Sequence, residues 1–307
     1  MLISFIIPVY NGSLFIKQCI ETLLAQTYNN WEGIFINDGS TDNTRELLEQ
    51  VSRADSRIKF YNQKNQGAAI ARYTGVKLAT GEYITFLDVD DTLSKDFLQS
   101  LIQQITPSID IVVCPFNIIK KNKIISKHIT PGIFNRIDYL KKILTGYAGW
   151  ELCAKIFRKE LFEQPLIQPP NIRIGEDAAN LIQLISRAKK IKITNIPLYN
   201  YIQYSTSASH IKNKQYAEET LKAGYFIKSL LEQKTFYLSI KDEISAMFLL
   251  FYSNSTRKAN LSLKHPMVYD IYKSYYSYRI VKLIPLQKRI YITMSFIIER
   301  ILSHIKL

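Results

Sequence analysis

Gly81-Glu82-Tyr83-Ile84-Thr85-Phe86-Leu87-Asp88-Val89-Asp90-Asp91 changes character at one point. Residues 82–87 read as a buried strand, and three carboxylates then follow within four positions. A short apolar run that starts at a glycine and stops at a polar cluster is the mark of a strand in a parallel sheet. The rhythm continues toward the N-terminus. Residues 2–9 form a continuous apolar run that ends at Pro8. Residues 13–26 carry a helical stripe at Leu14, Ile16, Ile20, Leu23 and Leu24. Residues 31–36 predict a second strand, 43–53 a helix that Thr41 or Asp42 would cap, 58–61 a third strand and 68–79 a helix stopped at Thr80-Gly81. Beyond the quoted strand, 94–105 predicts a helix capped by Ser94.

Alternating strands and helices imply an α/β fold with a mainly parallel sheet and helices on both faces. Ligands of such folds bind outside the carboxyl ends of the strands. Polar residues gather there in this chain: Pro8-Val9-Tyr10-Asn11-Gly12, Asn37-Asp38-Gly39-Ser40-Thr41-Asp42, and Asp88-Val89-Asp90-Asp91. Crowded carboxylates call for a neutralising cation. Asp88-x-Asp90 is the sharpest of these signals for Mg2+ or Mn2+, although either Asp90 or Asp91 could instead cap a turn.

From residue 106 the pattern loosens. Residues 110–115 predict a fifth strand. Residues 116–129 predict a hairpin with Lys120-Lys121-Asn122-Lys123 at its tip, and 137–144 a short helix. Residues 150–162 and 178–188 read as helical or mixed, and 191–204 as two short strands around Pro197. From about residue 212 onward the chain is helical and basic.

Of 307 residues, 47% are hydrophobic and 21% charged, so long disorder and fibrous architectures are excluded. Cys19, Cys114 and Cys153 are too few and too scattered for a disulfide framework, which fits a reducing compartment. No signal-peptide pattern and no spanning apolar stretch is seen. The net charge of +14 is uneven. Residues 1–105 hold 9 Lys/Arg against 12 Asp/Glu, a net of −3, whereas 106–307 hold 31 against 14, a net of +17. A basic excess suits an anionic membrane surface, nucleic acid or acidic substrates, or serves solubility alone. In the tail, residues 279–307 interleave many Ile and Leu with Lys282, Lys288, Arg289, Arg300 and Lys306. That pattern fits a helix lying on a membrane and equally one that covers the core or a dimer interface.

The motif ending at Asn11, the Asn37–Asp42 run, Asn65-Gln66-Gly67 with Ala71-Arg72, and the quoted strand with its DxD stand in order at ordinary spacing. Together they resemble the family 2 glycosyltransferases, closely over residues 1–105 and more loosely to about 210. The resemblance implies a GT-A fold and a nucleotide-sugar donor. Pro8, Tyr10 and Asn11 would line the nucleoside pocket. Asp38 would meet a uracil base, Arg72 the base and diphosphate, and Asp88 the ribose and sugar. Asp90 would hold Mn2+ or Mg2+, and Asp177 of Gly175-Glu176-Asp177 would be the general base of an inverting, metal-dependent transfer. Trp150, Lys155 and Glu176 would face the acceptor, and Ser205 and His210 a phosphate. Ala154 stands where the family usually has Asn, and Gln203 near where many relatives have Arg.

The organisation implied is a donor half over 1–105, an acceptor and base half over 106–210, and a helical basic region over 211–307. The acceptor would be a saccharide or lipid-linked saccharide of bacterial surface glycan synthesis. The setting would be cytoplasmic, on the inner face of the membrane, with no nucleic-acid partner and with a homodimer as a further option. Two rival readings make different demands on the sequence. A nucleotidyltransferase would carry a glycine-rich basic loop where Pro-Val-Tyr-Asn-Gly stands. A nucleic-acid binder would interleave basic and aromatic residues on one face, and acidic strand ends argue against it.

Overall fold

The structure, a computed structural model, describes residues 1–121, 123–170, 172, 174–204, 214–259 and 264–305. Two compact units share the chain. The first comprises Met1–Arg136, Glu151–Ile167 and Arg187–Ser205, and the second Ile137–Trp150, Gln168–Ser186 and Thr206–Leu307.

The first unit begins with β1 (Ile3–Val9), α1 (Ile16–Leu24), β2 (Trp31–Asp38), α2 (Thr44–Ala54), β3 (Ile58–Gln63), α3 (Ala68–Leu78) and β4 (Tyr83–Phe86). These four strands pair in parallel in the order β3-β2-β1-β4. Successive side chains of β1 point to opposite faces. Ile3, Phe5, Ile7 and Val9 join the core that includes Ile16, Cys19, Ile20 and Leu23 of α1. Ile6 faces α3 instead, where Gly75 lets the helix approach: a Cβ on Gly75 would lie 2.5 Å from Ile6 Cγ2. The expected α/β alternation with helices on both faces is therefore present.

The unit continues with β5 (Thr92–Leu93), α4 (Phe97–Ile102), β6 (Ile111–Val113), the hairpin of β7 (Phe116–Lys120) and β8 (Lys123–Lys127), and β9 (Gly132–Asn135). After α5 (Arg136–Leu144), β10 (Lys155–Arg158) inserts antiparallel between β4 and β6. Following α6 (Glu176–Arg187) come β11 (Lys190–Ile193) and β12 (Tyr199–Ile202). The main sheet runs β3-β2-β1-β4-β10-β6-β11-β9, and a second sheet runs β5-β12-β7-β8.

Four local expectations differ. Residues 155–158 form a central strand where a helical or mixed segment was expected, because a short buried apolar run has no period of its own. β9 was not foreseen. α4 starts at Phe97, and Ser94 gives it only a carbonyl, accepting from Phe97 N at 2.9 Å. Two residues placed on the apolar stripe of the first helix are exposed: Leu14, which precedes α1, and Leu24, its last residue.

The second unit holds most of α5 and α6, then α7 (Lys214–Glu232), α8 (Lys241–Ala259), α9 (Pro266–Tyr275), α10 (Tyr278–Val281) and α11 (Leu286–Ile305). Aromatic pairs join its helices. Phe248 of α8 stacks on Tyr275 of α9 with ring centroids 4.3 Å apart, and Tyr252 of α8 stacks on Phe296 of α11 at 4.4 Å. Such pairs add about 0.5–1.5 kcal/mol each beyond the area they bury. No described helix is long and apolar enough to cross a membrane.

The N-terminal ends of the parallel strands are tied by one buried carboxylate. Glu32 Oε1 accepts from Ser4 Oγ (2.6 Å), Thr80 N (2.6 Å) and Thr80 Oγ1 (2.8 Å), and Oε2 accepts from Lys59 Nζ (2.8 Å). Burial pushes the acid upward, but the bonds from Lys59, Ser4 and Thr80 outweigh it and hold the carboxyl down at about 2. A group depressed in the fold contributes stability above its unfolded value and loses it as pH falls through the folded one. The shift from the ordinary 4.5 corresponds to about 3 kcal/mol. Denaturant titrations from pH 7 to pH 2 should show wild type losing this increment below about pH 4.5. Glu32→Gln, a mimic of the protonated acid, should be about 3 kcal/mol less stable at pH 7 and lack that step. Equal pH profiles for the two proteins would remove Glu32 as the tie.

Candidate active site

Four loops meet at the carboxyl ends of β1, β2, β3 and β4. Loops one and two are clamped together. Asn11 has a φ of 49°, a conformation that Asn tolerates better than most residues. This turns its Oδ1 to accept from Thr41 N at 2.8 Å, while Asn11 N donates to Ser40 Oγ at 2.9 Å. Gly12 N donates to Thr44 Oγ1 (2.9 Å), and Ser13 N to Asp42 Oδ2 (3.1 Å). Burial raises the Asp42 acid, but bonds from Thr44 and Ser13 win and hold it at about 2. Asp42 accepts from Thr44 N at 3.1 Å at the start of α2, but the N-cap position itself falls at Asn43, beyond the Thr41 or Asp42 expected to cap the helix, and Asn43 gives no side-chain cap bond. Pro8 is half-buried near the end of β1, and Tyr10 is exposed beside it.

Loop three hangs on Asp38. This buried carboxylate accepts from Gln63 Nε2 (2.7 Å) and Gln66 N (2.9 Å) on Oδ1, and from Gly67 N (2.8 Å) on Oδ2. Gly39 beside it has a φ of 74°, and a Cβ there would lie 2.8 Å from Asn65 N. Only glycine fits both demands.

Loop four holds the acid cluster, and each aspartate is treated differently. Asp88 Oδ1 accepts from Arg72 Nη2 at 2.8 Å, and Arg72, largely buried, reaches it from α3. Asp91, 1% exposed, accepts from Tyr199 Oη at 2.5 Å and from Ile202 N at 2.9 Å, which fastens the loop to β12. Burial, then the Asp88 charge, push its acid up to about 8 against those two bonds. Among the described residues no cation pairs with Asp90, and burial followed by the Asp88 charge raises its acid above the ordinary range.

This arrangement fits a divalent metal. No three His, Cys, Asp or Glu side chains among the described residues form a metal cage. A site with one or two carboxylates suits Mg2+ or Mn2+, which keep water ligands and take phosphate oxygens. A dication beside Asp90 and Asp88 would also relieve the like-charge strain that raises Asp90.

The remaining expected residues lie as follows. Trp150 is half-buried in the second unit, its ring 5.2 Å from that of Phe251. Lys155 is enclosed in the first unit, its Nζ donating to Glu151 O (2.5 Å) and Cys153 O (3.2 Å). Ala154 has a φ of 59°, so the Asn expected there answers a backbone demand, since Asn adopts this conformation more readily than Ala. Glu176 and Asp177 open α6 in the second unit. Ser205 and His210 lie outside the described residues.

Sequence reasoning missed Asp91 as a fastener, and with it Tyr199, Gln63 and Asp42's hold on loop one. Asp91 was visible in the DxDD run, but its partner is 108 residues away. A cavity of about 860 Å3 lies at the opposite end of β4, lined by Tyr73, Lys77, Glu82, Arg158 and Lys159 among others. Its cations are already engaged: Lys159 Nζ donates to Ala79 O at 2.6 Å, Arg158 Nε to Asp110 Oδ1 at 3.1 Å, and Lys77 Nζ lies 4.3 Å from the centre of the Tyr73 ring. All three cysteines are free thiols. Burial pushes Cys19, Cys114 and Cys153 upward, so none is a thiolate.

Comparison with known proteins bears on the fold and the family. The profile of Glycosyl transferase family 2 matches residues 4–164. The uncharacterized glycosyltransferase EpsJ of Bacillus subtilis (strain 168) is 33% identical over 237 residues, covering 74% of this chain and 68% of EpsJ. Staphylococcus aureus TarS 1–349, solved in complex with UDP-GlcNAc, superposes with a TM-score of 0.69 at 17% identity, covering 94% of this chain and 83% of that one. The mannosyltransferase PcManGT of Pyrobaculum calidifontis, in complex with GDP-Man and Mn2+, gives a TM-score of 0.59 at 15% identity over 95% and 83%. The fold is thus that of the GT-A enzymes foreseen from the motifs. With its family profile matched across more than half its length and its acid cluster at the expected strand end, the chain belongs to glycosyl transferase family 2.

Proposed function

We propose that this glycosyltransferase moves a sugar, with inversion, from a uridine diphosphate donor to a hydroxyl of a saccharide or lipid-linked saccharide in bacterial surface glycan synthesis. The observation that carries the reading is the acid cluster at the end of β4, where Asp88 is paired, Asp91 is fastened and Asp90 has no described cation partner. The UDP-GlcNAc complex of TarS, a protein of the same fold, supports a uridine donor.

In this reading residues 1–105 hold the donor. Pro8, Tyr10 and Asn11 flank the nucleoside. Asp38 Oδ2 accepts one N–H within the chain, and a carboxylate oxygen has a second lone pair for the uracil imide. Arg72 answers the diphosphate as well as Asp88. Asp90, helped by Asp88, would hold Mn2+ or Mg2+, and a bound dication neutralises charge on a departing diphosphate. The Mn2+ complex of PcManGT supports that choice.

Residues 106–210 supply the acceptor side. Asp177 accepts the proton of the acceptor hydroxyl as its oxygen forms a bond to the anomeric carbon. The bond from that carbon to the diphosphate oxygen breaks on the opposite face, and its electron pair leaves with UDP. An ordinary aspartate is a weak base, so proton transfer is late and concerted with bond formation. Trp150 and Glu176 would face the acceptor, and Lys155 would act indirectly by holding Glu151.

The overall test is UDP release with a panel of uridine sugars and saccharide acceptors, and three outcomes are expected. Asp90→Asn should keep the fold and abolish metal-dependent transfer, as EDTA should in wild type; full activity in either case would refute the metal assignment. UDP should compete with donor while GDP and CDP do not, and equal inhibition by all three would remove Asp38 as the uracil contact. Asp177→Asn should lower kcat by about 10²–10⁴ with UDP affinity unchanged by calorimetry. Loss of UDP affinity in place of turnover would move Asp177 out of the base role.

A further inference from the structure

α11 carries two apolar faces. Each residue of an α-helix turns by about 100°. Ile292 and Phe296 are buried, with Phe296 against Tyr252 of α8 and, at 4.7 Å between ring centroids, against Tyr272 of α9. One such stripe is all that a helix closing a core requires. On the opposite side Leu286, Ile290, Met294, Ile297 and Ile298 fall within about 120° of arc. These five side chains are 46–63% exposed. Scattered surface hydrophobics need no explanation, but a continuous row of this length marks an interaction surface.

The charge around the row says what covers it. Residues 212–307 hold 16 Lys/Arg against 7 Asp/Glu, a net of +9. Just before α11 in the chain, in α10, Tyr278 is exposed, with Lys282 Nζ 4.3 Å from the centre of its ring. Lys282 is exposed. A second copy of the chain would bring two regions of net +9 together, and like-charge apposition opposes pairing. An anionic lipid surface instead attracts this charge and offers an apolar layer to the row. Tyrosine with a neighbouring lysine is the side-chain pair that settles at the headgroup level.

We infer that α11 lies in the plane of an anionic membrane surface, its Leu286–Ile298 row inserted below the headgroups and Lys282 at the phosphates. The inference does not depend on the donor chemistry, because its readout is lipid binding.

The test is cosedimentation of the full chain with vesicles of phosphatidylglycerol and phosphatidylcholine, against vesicles of phosphatidylcholine alone. Wild type should bind the anionic vesicles, more weakly as salt rises, and leave the neutral ones. Ile290→Glu with Met294→Glu should reduce binding at least tenfold with an unchanged melting temperature. Lys282→Gln should reduce it about fivefold, the usual worth of one cation at such a surface. Should the double variant fail to fold, Ile297→Trp gives a second measurement: its emission should shift to the blue on anionic vesicles only. Undiminished binding by a folded double variant, or an unshifted Ile297→Trp, would overturn the inference. So would a dimer in sedimentation that the double variant dissolves while wild type ignores vesicles, which would assign the row to a second copy.

Discussion

Three carboxylates leave the end of β4 within four residues, and their mutual repulsion has to be managed before this edge of the sheet can form. Charges this close cannot all stay ionised in a partly buried site without help. The chain spends Arg72, from the buried side of α3, on Asp88. It spends the Tyr199 hydroxyl and the Ile202 amide of β12 on Asp91. These bonds also fix geometry. The first locks α3 to loop four, and the second brings the small sheet up to the end of the large one. Asp90, which gains no such partner among the described residues, keeps an unmet demand for positive charge at the place where a donor's phosphates and a metal would meet.

The other loops obey a related rule. Main-chain amides at strand ends need acceptors when water is kept away. Here the acceptors are Asn11, Asp38 and Asp42, each serving a neighbouring loop. A carboxylate that accepts several N–H bonds becomes a stiff joint, because removing it orphans every donor at once. Glu32 does the same at the opposite end of the strands. The sheet is thus pinned at both ends by buried acids, so the polar rim is carried on a rigid base.

The second unit is organised by aromatic stacking across helices, with Phe248, Tyr252, Tyr275 and Phe296 at its centre. Its basic surplus stands apart from the acidic first 105 residues. Acidic groups gather at the strand ends, where the proposed reading would hold a cation and a nucleotide. Basic groups gather where the chain has an apolar row still exposed. The two halves of the sequence therefore carry opposite charge for different physical reasons.

The parallel half of the fold is written in local pattern. β1 to β4 and their helices were legible because an apolar run ending in a polar cluster is a local signal. The loops that carry Asn11, Asp38, Arg72 and Asp88 to Asp91 were legible as motifs in order, and with them the family. Tertiary structure decided what local pattern cannot encode. β10 took its place between β4 and β6 through partners about 40 and 70 residues away, such as Val112 and Thr85 for Ile156. Lys155, read as a contact for a ligand, was turned inward by Glu151 O and Cys153 O. Asp91 became a fastener only once Tyr199 arrived beside it. In the tail the alternation of Ile and Lys was visible from the start, but a helix of that pattern has more apolar surface than one core can cover. Which face α8 and α9 took, and which stayed exposed, was settled by Tyr252 and Tyr272 meeting Phe296. Burial is a property of neighbours in space, and those neighbours were brought together by the fold.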